Sequence, residues 1–249
     1  MNTLILYFSG TGNSFAAAKR LASLIDEARI QAITGLEGDI SAERVLFVVP
    51  SYAYGLPTVV YKLFKTKKIN ANYIAVLATC GTKPGALFRQ AHKLLRKQGQ
   101  SLSFYGTIHS VENYFAIFKR GTPEFEQQRL IAQNDDVDRL AKMIAALETR
   151  KKPSPKPIGS MISSLFNLAR PTLNRRIKIS DSCIACGVCR ANCQVKAIQI
   201  IDEIAVINPK ICQHCQGCIN VCPRHAITFG KIKTDSKRYL HPDIDINRT

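Results

Sequence analysis

The chain is short of acidic residues, since its 249 residues include 18 Asp and Glu against 35 Lys and Arg, a formal net charge of +17 at pH 7. It lacks the 18 consecutive apolar residues that a transmembrane helix needs, so we expect no membrane span. Residues 1–6 lack the basic segment and cleavage site of a secretory signal. No nucleic-acid recognition module accompanies the positive charge, so we expect no nucleic-acid partner.

Cysteine is what the chain does contain, and eight of its nine cysteines form two copies of one pattern. Each copy has the spacing C-x2-C-x2-C-x3-C. The first copy is Cys183, Cys186, Cys189 and Cys193, and the second is Cys212, Cys215, Cys218 and Cys222. This spacing resembles the ligand run of bacterial ferredoxins with two clusters, and eight thiolates suffice for two 4Fe-4S clusters.

In the ferredoxin pattern, the fourth cysteine of each run binds the other cluster. The resemblance therefore implies one cluster on Cys183, Cys186, Cys189 and Cys222, and another on Cys212, Cys215, Cys218 and Cys193. Residues 198–207, between the runs, predict a short hairpin around Asp202. The first run departs from the pattern, because Gln194 stands where the pattern prefers proline.

Zinc and disulfides are the alternatives for these cysteines. Zinc ribbons use pairs of C-x-x-C with four ligands per metal, and they do not require a third cysteine at the same step. Disulfides are disfavoured because we expect no export signal. Thiols this dense indicate metal ligation in a reducing compartment, which we expect to be the cytoplasm.

The first 150 residues alternate apolar runs with helical patterns. The runs at 3–8, 45–50, 73–79 and 101–108 are expected strands. This alternation predicts an α/β fold with a parallel sheet and helices on both faces. Ligands in such folds bind beyond the carboxyl ends of the strands, where three loops rich in glycine, hydroxyl and aromatic residues are expected.

The loop after the first expected strand suits a phosphate. Its glycines let the backbone approach a ligand, and its N–H and hydroxyl groups can donate to an anion. It is not the dinucleotide fingerprint, whose third glycine would fall at Phe15, nor a Walker A loop, because no Gly-Lys-Ser/Thr follows. An ordinary strand-to-helix turn is the alternative. The loop consists of Ser9, Gly10, Thr11, Gly12, Asn13 and Ser14.

With this loop, residues 1–150 resemble flavodoxin, whose phosphate loop has the form T/S-G-T-G-N-T/S. The whole chain resembles the flavodoxin–ferredoxin fusion proteins of anaerobic bacteria and archaea. The resemblance implies a flavodoxin-like, doubly wound five-stranded sheet that binds FMN, and a smaller α+β domain with two 4Fe-4S clusters. The further flavin contacts that it implies are Tyr52, Tyr54, Gly55, Thr79, Cys80, Gly81, Asn113 and Tyr114.

Several of these residues have a simpler interpretation. The tyrosines could pack at the edge of the sheet. Cys80 is interpreted as a buried small residue, with a redox-active thiol as the alternative. His214, inside the second cysteine run, is expected to form hydrogen bonds, because the thiolates already complete the ligand set.

Four segments follow from these patterns: a flavodoxin-like domain at 1–150, a basic proline-rich linker at 151–176, a ferredoxin domain at 177–230 and a polar tail at 231–249. The linker contains a helical pattern at 158–169. We expect this helix to pack one domain onto the other, and a membrane-surface helix is the alternative.

Electron transfer is the predicted function, as a relay between FMN and the two clusters. Because flavodoxins and small ferredoxins are usually acidic, the basic chain predicts an acidic redox partner of that type. The alternative is an FMN-dependent oxidoreductase that reduces a small molecule with electrons fed through the clusters. The sequence favours the carrier, since it contains no second nucleotide fold and no constellation for proton transfer, and we predict no catalytic residues.

Overall fold

The computed structural model describes residues 1–114, 121–230 and 238–244. Most of the predicted polar tail, residues 231–237 and 245–249, therefore lies outside the described residues. The N-terminal elements are β1 (Thr3–Tyr7), α1 (Asn13–Ser23), β2 (Ala28–Ala32), β3 (Ile40–Ser41), β4 (Arg44–Pro50), α2 (Thr58–Thr66), β5 (Ile69–Asn70), β6 (Tyr73–Cys80), α3 (Leu87–Arg96), β7 (Phe104–His109) and α4 (Pro123–Ala145). The C-terminal elements are α5 (Pro157–Asn174), β8 (Ile177–Ile179), α6 (Val188–Ala191), β9 (Ile198–Ile201), β10 (Ile204–Ile207), α7 (Gly217–Val221) and β11 (Ile227–Phe229).

The central sheet has five parallel strands in the order β2-β1-β4-β6-β7. Counted along the chain within this sheet, the order is 2-1-3-4-5, which is that of the flavodoxin-like doubly wound fold. The predicted fold class is confirmed. Strand β2 was not predicted, because it lies at the edge of the sheet, where its residues are only partly buried and form no apolar run.

Both faces of the sheet are covered, which is why the inner strands are almost continuously apolar. On one face, α2 and α3 pack through Phe64 and Leu87 against Phe47 of β4. On the other face, α1 and α4 pack through Leu21 and Leu140 against neighbouring strands. Because the strands are parallel, the loops that follow β1, β4 and β6 meet at one edge of the sheet.

The C-terminal part is a smaller unit built from two similar halves. Its strands form the antiparallel pairs β9–β10 and β8–β11. The predicted hairpin is confirmed, and Asp202 and Glu203 at its turn have positive φ angles of 48° and 58°, as tight hairpin turns require. Positive φ angles also recur at positions 29 residues apart, so the two cysteine loops share one backbone conformation. The pairs are Ala185 and His214, Gly187 and Gln216, and Lys196 and His225.

No helix in the described ranges is both long enough and apolar enough to span a membrane.

The packing of α4 provides a test of this core. Leu140 is fully buried and lies against Gly106 of β7. We expect Leu140→Ala to lower the free energy of unfolding by about 2–5 kcal/mol, because it leaves a cavity. Leu168→Ala is the matched control, since Leu168 is 81% exposed, and a change below about 0.5 kcal/mol is expected there. Urea unfolding followed by circular dichroism measures both, and equal losses would contradict this packing.

Candidate functional site

The loop after β1 lies at the carboxyl edge of the sheet, and α1 begins inside it at Asn13. Gly12 caps that helix with a φ angle of 103°, a conformation that favours glycine. The end of β6 is tied to the loop, because the hydroxyl oxygens of Ser14 and Thr79 lie 2.7 Å apart. The loop after β4 joins them, since the Ser51 N–H donates to the Thr79 carbonyl at 3.0 Å.

The hydroxyl groups of this loop keep protons to donate. The Ser9 hydroxyl oxygen accepts from the Gly12 N–H at 3.1 Å, and the Thr11 hydroxyl oxygen accepts from the Asn113 side-chain amide. Each accepting hydroxyl still has its own O–H. The first N–H groups of α1 point out of the helix end, as at any helix N-terminus. A phosphate group needs hydrogen-bond donors, and a helix N-terminus with nearby hydroxyl groups provides them.

The two predicted tyrosines of the β4 loop differ in environment. A tight turn joins Tyr52 to Gly55 by two backbone hydrogen bonds of 3.0 Å, with Ala53 and Tyr54 at positive φ. Tyr52 turns inward against Phe8, with ring centroids 6.3 Å apart, whereas Tyr54 is 45% exposed. Of the pair, Tyr54 is therefore the one whose ring is accessible.

The loop after β6 places its predicted residues at the same edge. Gly81 lies against Glu112, because a Cβ at position 81 would come within 2.6 Å of the Glu112 carboxylate. Burial, and then the negative charge of Glu112, raises the pKa of the Cys80 thiol to about 12. Cys80 is therefore a thiol at neutral pH, which agrees with a buried small residue and not with a reactive thiolate.

Cysteines from both runs lie near one another, and each of the two predicted ligand sets takes members from both runs. The first set lines a small cavity, with Arg224 beside it. Cys186 of this set is exposed, so the first set lies near the protein surface. Its members are Cys183, Cys186, Cys189 and Cys222.

The second set is more deeply enclosed. Burial, and then the neighbouring Cys212, raises the pKa of the Cys215 thiol to about 12. The pKa of the Cys218 thiol is also raised, by burial and then by Cys215, Cys212 and Cys193. Thiols held this close become thiolates only if positive charge compensates them, and bound metal supplies such charge. No three Cys, His, Asp or Glu side chains in the described ranges are arranged to hold a metal ion.

The second set lies directly against the loop after β1. A Cβ on Gly10 would come within 2.8 Å of the Cys215 Cβ, and a Cβ on Gly217 within 2.5 Å of the Gly10 carbonyl oxygen. Glycine at both positions is therefore required by the close approach of the two backbones. Tyr52 is part of the same contact, because its hydroxyl lies 3.1 Å from the same Cβ position on Gly10.

A chain of polar side chains holds the second cysteine loop from the opposite side. Asn174 of α5 donates to the Cys212 carbonyl at 2.8 Å, and Arg170 donates to the same oxygen. Since the Asn174 amide oxygen can only accept, His214 donates to it from Nδ1 at 2.7 Å. Neutral His214 then accepts at Nε2 from the Tyr114 hydroxyl at 3.1 Å. Burial, and then the charge of Arg170, lowers the pKa of His214 to about 4, so this histidine is neutral.

Gln194, which stands where the cysteine pattern prefers proline, takes part in the contact between the loop after β1 and the C-terminal part. Its side-chain oxygen accepts from the Ser9 N–H at 3.1 Å. A proline at this position could not accept that bond from its side chain. Gln213 acts similarly, since its side-chain oxygen accepts from the Val59 N–H at 3.0 Å. The Gln194 departure was the sequence signal for this interface.

Two contacts at the loop after β1 had no signal in the sequence. The Tyr239 hydroxyl donates to the Asn13 side chain at 2.6 Å, and the His241 N–H donates to the Thr11 carbonyl at 2.9 Å. His241 and Ile244 also lie over Gly12. Residues 238–244 therefore pack against the loop after β1.

The Gln216 side chain has no polar partner within the described part of the chain. It is 2% exposed, and both of its amide atoms are unpaired. It lies between Cys215 and Gly217, at the contact between the second set and the loop after β1. Buried amides are normally paired, and this one has a donor and an acceptor available at that contact.

Comparison with known proteins matches the C-terminal region to ferredoxins. It is 35% identical over 57 residues to Ferredoxin-3 of Chlorobaculum tepidum, a match covering 92% of that protein and 20% of this chain. It is 43% identical over 51 residues to Ferredoxin Fdx2 of Sorangium cellulosum, where the match covers 50% of that protein and 18% of this chain. The chain belongs to the ferredoxin family through this segment. The chain spans about half the length of the Sorangium protein.

No protein-family model matches the chain. Among solved structures, a flavodoxin from the domain Archaea is 15% identical with a TM-score of 0.36, over 57% of this chain and 99% of that one. Azoreductase AzrA is 10% identical with a TM-score of 0.41, over 59% of this chain and 100% of that one. These scores are too low to assign a fold, so the flavodoxin-like assignment rests on the strand order. The fusion resemblance is thus confirmed by ferredoxin relatives in one part and by topology in the other.

The polar chain behind the second set can be tested at Tyr114. We expect Tyr114→Phe to lower stability by about 1–3 kcal/mol, because it leaves His214 Nε2 as a buried acceptor without a donor. The midpoint and slope of urea unfolding of the full chain give this value. Tyr61→Phe is the control, since Tyr61 is 41% exposed. A Tyr114→Phe protein as stable as the control would show that the bond does not hold the loop.

Proposed function

We propose that this protein is an electron carrier that relays electrons between FMN and two 4Fe-4S clusters. When bound, FMN exchanges one or two electrons at a time, and each cluster exchanges one. The observation that carries the proposal is the backbone contact between the loop after β1 and the second cysteine set, with Gly10 and Cys215 at its centre. A phosphate-type loop and a thiol set in contact are suited to electron transfer between their ligands.

The residues present fit these groups. The phosphate of FMN would take the O–H groups of Ser9 and Thr11 and the first N–H groups of α1. Each cluster would take four thiolates from one cysteine set. The orphaned Gln216 amide would donate to the ligands that meet beside it, and such hydrogen bonds tune cluster potentials. The cysteine sets and flavin contacts are part of this proposal.

The placement of the two sets gives the relay an order. The second set is enclosed between the flavodoxin-like sheet and α5, whereas the first set includes the exposed Cys186 and the neighbouring Ile184, which is 59% exposed. Electrons would therefore pass between the flavin site and the second set, then to the first set, and then to a partner. The enclosed set is shielded from water, and the outer set can be reached by another protein.

We infer an acidic redox protein as the partner. The chain has a formal net charge of +17, and Arg224 lines the cavity of the first set. Opposite charges raise the rate at which two redox proteins meet in the correct orientation. A cytoplasmic location agrees with the eight thiols, which need a reducing compartment.

Metal analysis and an anaerobic reductive titration test the relay. Purified holoprotein should contain about eight iron and eight sulfide per chain and take up about four electrons, one per cluster and two for FMN. Zinc in place of iron and sulfide would overturn the cluster assignment. Clusters without bound flavin, after incubation with FMN, would overturn the relay.

Removing one cysteine tests the crossed ligation. We expect Cys193→Ala to keep about four iron per chain. Since the lost cluster would be the one that uses the second run, iodoacetamide should then label Cys212, Cys215 and Cys218. Peptide mapping by mass spectrometry identifies the labelled thiols.

Cys222→Ala is the mirror variant and should expose Cys183, Cys186 and Cys189 instead. Cys80→Ala is the control and should keep all the iron. If Cys193→Ala exposed the remaining thiols of its own run, each run would bind its own cluster and the crossed sets would be wrong.

A charge reversal tests the proposed partner surface. We expect Arg224→Glu to slow electron transfer from an acidic bacterial ferredoxin about tenfold at low salt, because it replaces attraction by repulsion near the first set. Stopped-flow absorbance measures the rate, and added salt should reduce the difference between the proteins. Arg29→Glu, on exposed edge strand β2, makes the same charge change elsewhere. An equal effect of both substitutions would mean that net charge, and not this surface, controls the rate.

A further inference from the structure

Helix α5 packs on the rest of the protein through its polar side. The Ser163 hydroxyl lies 3.3 Å from the Gln90 amide nitrogen, and the Asn167 side-chain oxygen accepts from the Thr58 hydroxyl at 2.9 Å. Arg170 and Asn174 follow at helical spacing and are buried, with both donating to the Cys212 carbonyl. The inward face of this helix therefore consists largely of residues that usually face water, with Phe166 packed against His214.

The outward face of α5 is apolar. Its residues recur at steps of three and four, which places them along one side of the helix. Leu168 is 81% exposed, and the other four are between 37% and 69% exposed. These residues are Ile158, Met161, Ile162, Leu165 and Leu168, and we call them the α5 stripe. Helices at a protein surface normally bury such a stripe, and contiguous exposed apolar patches mark interaction sites. Helix α5 contacts both parts of the chain, but its apolar residues other than Phe166 face away from them.

The charge around the α5 stripe is of one sign. Residues 150–180 contain eight Lys and Arg and no Asp or Glu. Exposed lysines 151, 152 and 156 precede or begin the helix, and exposed arginines 175 and 176 follow it. With about 1.5 Å per residue, the 18 residues of α5 extend about 27 Å, and positive charge lies at both ends of the helix that carries the stripe.

We propose that α5 binds the surface of an anionic lipid bilayer, with the α5 stripe among the acyl chains and the flanking basic residues at the headgroups. An amphipathic helix with Lys and Arg beside an apolar face lies in the plane of the interface, and anionic headgroups attract basic segments. A second copy of the chain is a poorer occupant, because two such faces would bring their basic ends and their +17 charges together. This proposal does not depend on the electron-transfer function.

Vesicle co-sedimentation with the full chain tests it. The probes are vesicles of phosphatidylcholine alone and vesicles with equal parts of phosphatidylcholine and phosphatidylglycerol, in about 0.1 M salt. We expect binding to the anionic vesicles to be at least about tenfold tighter. The double variant Leu165→Ser with Leu168→Ser should weaken that binding at least about tenfold, because two apolar anchors are lost.

The matched control is Ile131→Ser with Leu147→Ser, which changes two exposed apolar residues outside α5 and should alter binding less than about twofold. Binding of the α5 variant to anionic vesicles as tightly as the unchanged protein would overturn the proposal, since charge alone would then suffice. The absence of binding to anionic vesicles would overturn it as well. Sedimentation velocity adds one outcome: a salt-resistant dimer that the α5 substitutions dissolve would assign the stripe to a second copy.

Discussion

The arrangement of this molecule depends on the contact of two backbones, at Gly10 and at the Cys215–Gly217 segment. Neither glycine leaves room for a Cβ, which would lie 2.8 Å from its nearest neighbour at Gly10 and 2.5 Å at Gly217. The loop after β1 is fixed by the parallel sheet, and the cysteine loop is fixed by its repeated left-handed turns. Because both surfaces are set by local structure, the contact determines how close the ligands of the two parts can come. If the two loops met only through side chains, their ligands would lie further apart.

Directional hydrogen bonds hold that contact in register, beside apolar contacts such as that of Val195 with the core of the sheet. Gln194, Gln213 and Asn174 each pair with a backbone group of the facing segment or loop. Polar contacts lose more free energy than apolar ones when they shift, because an unpaired buried group keeps its desolvation penalty. A contact of this kind therefore specifies one relative position. It also explains the orientation of α5, whose polar side is used to hold Cys212 and whose apolar side is left outward.

The sequence predicted the features that follow from local rules. Buried parallel strands are visible as apolar runs, the cysteine spacing identifies the ferredoxin segment, and the Asp202 turn predicts its hairpin. What could not be predicted depends on which surfaces meet. Strand β2 has no apolar run because it is an edge strand, and Tyr239 reaches Asn13 across 226 positions of sequence. The helical pattern of α5 was visible, but a hydrophobic period alone does not reveal which face a helix turns inward. The apolar face of a helix usually turns inward. In α5 the polar face does so, because the interior at Cys212 requires hydrogen-bond donors.

Arg170 of α5 donates a hydrogen bond to the Cys212 carbonyl, so its charge lies beside the second cysteine set. It is 7% exposed, and it forms no ion pair with a carboxylate in the described ranges. Burial lowers its pKa, and the nearby Cys212 offsets this only in part. A guanidinium stays charged in proteins, and a buried charge without a counter-charge destabilises a fold by several kcal/mol. A cluster on the second set, as proposed above, would carry net negative charge at that point and would compensate it. Cluster binding and the docking of α5 should therefore stabilise each other, since the helix supplies the positive charge and the cysteine loop supplies the negative one.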